Sequence, residues 1–83
     1  MPLFIDVHNH IEGLTAEAAA DAHEADLQTQ DKYGVKYLRY WYDEASCKVF
    51  CLIEAPNKEA AIAVHREAHG LVADDLTEVT EGK

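Results

Sequence analysis

Basic residues are scarce in this 83-residue chain: 7 Lys and Arg stand against 16 Asp and Glu, for a formal charge of −9. That balance argues against nucleic acid and anionic membranes, which need clustered Lys and Arg, and it suits cations. No run of 18 apolar residues exists, and the first residues lack the basic flank and apolar stretch of a secretory leader. A cytoplasmic protein is therefore expected. Cysteine is limited to Cys47 and Cys51. On one strand a four-residue spacing holds them about 13 Å apart, beyond the roughly 7 Å that a disulfide tolerates. They form no C-x-x-C pair for redox chemistry or zinc. Cys51, among Val49, Phe50, Leu52 and Ile53, reads as a small buried hydrophobe, and Cys47 lies near a turn.

Repeats, low-complexity segments and linkers are also missing, so residues 1–83 are read as a single domain. A core of this size covers only about 60–65% of the surface the unfolded chain exposes. Association into a homodimer that covers open sheet is accordingly expected.

Histidine is what the chain has in quantity, five in all. His8 and His10 bracket one residue, a spacing that puts two rings on one face of a strand. His65 and His69 stand four apart, one turn on a helix. Neutral imidazole suits nickel, copper and zinc, so both pairs are candidate ligands for a divalent ion. The residues between His65 and His69 are Arg66, Glu67 and Ala68. They lack the glutamate placement of a metalloprotease helix. His23, with Asp26 three residues on, reads either as a packed histidine bonded to a carboxylate or as a ligand together with that carboxylate.

Local patterns give the order of elements. Leu3–His8 alternates as a strand, with Leu3, Ile5 and Val7 on one face and Phe4, Asp6 and His8 on the other. Thr15 caps an alanine-rich helix that runs to about Lys32 and is closed by Gly34. Val35–Tyr42 and Lys48–Ala55 form an aromatic and β-branched hairpin. Pro56 ends it, and Asn57 caps a helix over Lys58–His69 that Gly70 terminates. Its core stripe is read as Ala61, Val64, Ala68 and Leu71, with Ile62, His65 and His69 along the flank. Thr77–Thr80 supplies a last edge strand. The order β-α-β-β-α-β predicts an α+β, ferredoxin-like sandwich: four antiparallel strands with two helices on one face.

The helix-free face is expected to carry Phe4, Asp6 and His8, and to pair in a dimeric α/β-barrel-like assembly. Glu54 is placed there too, because burying it under helices without a partner is costly. Asp6, His8 and Glu54 would then share a cleft with Tyr37, Arg39 and Trp41. Such a cluster would serve a small organic ligand or general acid/base catalysis.

The segments DVHNHIEGLT (6–15), AHEADL (22–27), YLRYWYDEASCKVFCLIEAP (37–56) and VHREAHG (64–70) together resemble a bacterial family of small ferredoxin-like proteins, some described as nickel-binding. That resemblance implies a dimer, a nickel-sequestering or nickel-responsive role and no established enzymatic activity. It places His8, His23, Cys51 and His65 at the pattern's positions, with His10 an addition. The leading expectation is divalent-metal binding, nickel above all, by His8, His10, His65 and His69. A small dimeric α/β-barrel enzyme using His8, Asp6 and Glu54 is the alternative, and a dimer with idle histidines a third.

Overall fold

Residues 1–82 are described by a computed structural model. β1 (Leu3–His8), β2 (Lys36–Asp43), β3 (Lys48–Glu54) and β4 (Asp75–Val79) form one antiparallel sheet in the order β2-β3-β1-β4. α1 (Ala16–Thr29) and α2 (Lys58–Ala68) complete the β-α-β-β-α-β succession of the ferredoxin-like fold.

Both helix starts follow from capping chemistry. Thr15 accepts the Ala18 N–H at 3.0 Å, and Asn57 accepts the Ala60 N–H at 2.9 Å. α1 ends earlier than its composition suggests. The Thr29 hydroxyl donates back to the Ala25 carbonyl at 2.9 Å, and Gln30–Tyr33 tightens into a 3₁₀ turn. Gly34 then reverses the chain at φ 67°, a left-handed conformation that side chains resist. α2 stops at Ala68, with Gly70 at φ 79°, so Leu71 falls outside the helix and is 45% exposed. The stripe α2 buries is Ala61, Val64 and His65, with Ala68 half-buried. His65 is therefore a core residue rather than a flank residue.

The phase of β1 is opposite to the one expected. Phe4, Asp6 and His8 are the buried set, under the helices, while Leu3, Ile5 and Val7 occupy the uncovered face. Register makes this consistent across the sheet: Phe4 pairs with Ile53 and Asp6 with Cys51, both buried, whereas Ile5 pairs with Leu52 and Val7 with Phe50. Alternation identifies two sets of residues but does not say which one the helices cover. Here Asp6 goes inside because the helices bring a partner for its charge, and a buried carboxylate that is paired escapes most of its desolvation cost.

Glu54 does lie on the uncovered face, opposite Leu3 and Lys36. It is thereby separated by the sheet from Asp6 and His8, and the expected trio does not assemble. β2 carries a bulge between Tyr37 and Arg39. One extra residue there shifts the side-chain alternation. Tyr37 (3% exposed) pairs with Ile53 and Tyr40 with Cys51, both toward the helices. Arg39 and Trp41 pair with Leu52 and Phe50 on the uncovered face. The bulge is secured at Tyr37, whose N–H donates to Gln30 Oε1 at 2.8 Å and whose hydroxyl donates to the Ala61 carbonyl at 2.8 Å.

Phe4, Val35, Tyr37, Cys51, Ile53, Ala55, Ala61 and Val64 make up the core. The site lies beside it, where the end of β1 meets the two helices.

Candidate metal centre

His65 is the hub. Its Nδ1 donates to Asp26 Oδ1 at 2.9 Å and its Nε2 donates to Asp6 Oδ2 at 2.8 Å. All three residues are at most 3% exposed. Two carboxylates on opposite ring nitrogens require both nitrogens to carry protons, so the ring is an imidazolium. Burial alone would lower the His65 pKa, but the hydrogen bonds and charges of Asp26 and Asp6 lift it to about 9. Burial likewise works to raise Asp6, and the bonds from His65 and then His8 hold it at about 2. Asp26 is kept below its ordinary range in the same way, by His65 and then His69, against its burial. Two carboxylates around one imidazolium leave the interior with one net negative charge.

Two imidazoles flank the hub. The His8 ring meets His65 edge-on at 5.0 Å between centroids, and its Nε2 lies 3.5 Å from Asp6 Oδ1. The His69 ring is 4.8 Å from that of His65. Its Nδ1 accepts the Leu71 N–H at 3.1 Å, which in a neutral ring puts the proton on Nε2. That Nε2 is 3.1 Å from Asp26 Oδ1, yet it is buried without a well-aligned hydrogen bond. Asp6 Oδ1 is the other buried atom left without a partner among the described residues.

The donor atoms of Asp6, His8, Cys51 and His65 all lie within 4.8 Å of one another, and so do those of Asp26, His65 and His69. Two imidazoles, a carboxylate and a sulfur are a set that late first-row divalent ions accept. The orphaned Asp6 Oδ1, facing the His8 ring, is the position a cation would satisfy. The first set fits an ion on condition that His65 yields its Nε2 proton. Burial, reinforced by Asp6, pushes the Cys51 thiol up, so it reaches the thiolate only if a cation enters beside it. The second set fits less well, because the Leu71 N–H occupies the His69 nitrogen whose protonation would free Nε2 for a metal.

Of the four histidines expected to bind metal, the structure brings His8, His65 and His69 together. His10 is exposed beyond the end of β1 and joins neither set among the described residues. His23 packs against the Tyr40 ring, centroids 4.6 Å apart and planes tilted by 34°, instead of bonding to Asp26. Cys47 sits at φ 59° in the β2–β3 turn, away from Cys51. Asp26 was missed as a partner of His65, although a helical signal existed: it follows buried Ala19 by seven residues, two turns along the same face.

A search among curated proteins finds no match. The family described as nickel responsive protein SCO4226-like matches residues 4–79. The crystal structure of SCO4226 from Streptomyces coelicolor A3(2) superposes with a TM-score of 0.91 at 37% identity. The match covers 98% of this chain and 99% of that one. A match of that extent, in sequence and in backbone, places the chain in the SCO4226-like family of nickel-responsive proteins.

Proposed function

We propose that this protein binds a divalent transition-metal ion, nickel foremost, between β1 and α2, for sequestration or metal response. Asp6, His8 and His65 are the ligands in this reading, with Cys51 at the edge of the set. The observation that carries it is the buried, anionic donor cluster with an unpartnered carboxylate oxygen at Asp6. The family description, nickel responsive, supports the choice of ion. His69 and exposed His10 are outside the ligand set.

The chemistry of the hub sets the cost of binding. Below about pH 9 His65 is protonated, so an ion that takes its Nε2 must displace a proton. Binding therefore strengthens with rising pH and releases a proton at neutrality.

Assembly belongs to the same proposal. Two copies pair through the uncovered sheet face, where Leu3, Ile5, Val7, Phe50, Leu52 and the half-exposed Trp41 gather. Among the described residues no helix is long and apolar enough to cross a membrane. Two free cysteines suit a reducing cytoplasm, the compartment this reading assigns.

Tag-free protein titrated with nickel and studied by X-ray absorption tests the site. The expected result is one ion per chain with imidazole scatterers. Nickel held only by water and exposed carboxylates would refute it.

A further inference from the structure

A cavity of about 180 Å³ lies between α1, the end of α2 and the covered side of the sheet. Its walls include Leu14, Ala18, Ala22 and Val49, and its inner end is formed by His8 and His65. Alanines on α1 make the space, since a longer side chain at Ala18 or Ala22 would project into it. Polar groups reach it as well. His8 lines it while 4% exposed, and among the described residues its ring nitrogens make no hydrogen bond shorter than the 3.5 Å approach to Asp6. Tyr40 and His23, packed with ring centroids 4.6 Å apart, present aromatic surface to the same space.

These features select a ligand. An apolar cavity of about 150 Å³ is enough to hold benzene, so this one takes a single six-membered ring and little more. Aromatic walls favour a flat ring over an aliphatic one. The two carboxylates around one imidazolium repel an anion. A weakly engaged imidazole at the inner end offers a hydrogen bond to one polar group. We propose that the cavity binds a neutral, phenol-class aromatic molecule, its ring between the α1 alanines and Val49 and its hydroxyl on His8. The ring is held by walls that supply no ligand in the proposed function, but its hydroxyl takes the His8 that the proposed function gives to the metal, so phenol is tested on metal-free protein.

Phenol is the probe, titrated by NMR into the whole protein in EDTA, with benzoate as the charged comparison. Saturable shifts of His8 and Tyr40 resonances are expected, with benzoate at least tenfold weaker. Ala22→Leu should cost phenol at least tenfold in affinity while nickel titrates as in the parent. Ala18→Leu, at an exposed helix position that folding tolerates, should act in the same direction. Absence of saturable phenol binding, equal binding of benzoate, or undiminished binding in a folded filled variant would each overturn the proposal.

Discussion

Along β1 the two faces of the sheet reverse the usual distribution of polarity. The face under the helices carries Asp6 and His8 beside Phe4, and receives Asp26 and His65 from the helices. The uncovered face carries Leu3, Ile5, Val7, Phe50 and Leu52. Charge goes inside where each charged group meets its complement, and apolar side chains stay outside where a second surface can cover them. The covered face thus holds the donor cluster, and the uncovered face is the one proposed for association.

Breaking the covered face should have the largest effect. His65→Leu removes the imidazolium and leaves Asp6 and Asp26 buried without their counter-charge. A loss of about 3–5 kcal/mol in urea unfolding at pH 7 is expected for such an uncompensated pair. A loss below about 1 kcal/mol would mean the triad does not hold the faces as described.

The same triad gives stability an uncommon pH profile. The folded-state pKa of His65 is raised from 6.5 to about 9. Its contribution is therefore complete below pH 6.5 and is lost as pH rises through 9. At about 1.4 kcal/mol per pKa unit the decline is on the order of 3 kcal/mol. Asp6, lowered from 3.8 to about 2, contributes fully above pH 3.8 and loses that contribution as pH falls through 2. The two losses are opposite ends of one interaction, not additive terms. Metal-free protein should be most stable between about pH 4 and 6.5, read from urea midpoints across pH. His65→Leu should flatten the alkaline side.

The uncovered face sharpens the contrast in another observable. Leu52→Glu places a carboxylate at the centre of the proposed dimer contact and should weaken association at least tenfold, about 1.4 kcal/mol, in sedimentation equilibrium. Nickel affinity per chain should stay as it was, since the sheet separates Leu52 from the donor cluster. The smallest effect is expected at exposed His10. His10→Ala should change stability by less than about 0.5 kcal/mol and leave the nickel isotherm unchanged.

Much of the frame is visible in the sequence because it is local. Thr15, Gly34, Asn57 and Gly70 announce helix ends through capping and left-handed turns that depend on adjacent residues. The strand alternation of Leu3–His8 is equally plain. What alternation lacks is the sign, which is decided by residues far along the chain: Asp26 is 39 positions from His65, and Asp6 is 59. The rule that the apolar set faces the core fails where distant groups neutralise a polar set. The bulge at Leu38 is hidden for a related reason. It lets Tyr37 and Tyr40, three apart, share a face, and the adjacent Tyr37 N–H is satisfied by Gln30, which no strand pattern reveals. His8 and His65 were legible as candidate ligands by spacing, whereas Asp26 needed the fold to bring α1 against α2.

Nickel calorimetry on the His8→Ala variant beside the parent protein at pH 7.5 tests the central claim most directly. His8 touches the hub only edge-on and at 3.5 Å, so its loss should leave the Asp6–His65–Asp26 triad and the fold in place. The account predicts one ion per parent chain and at least a tenfold loss of affinity in the variant. Equal affinity in the two proteins would contradict it, and would move the metal away from the covered face.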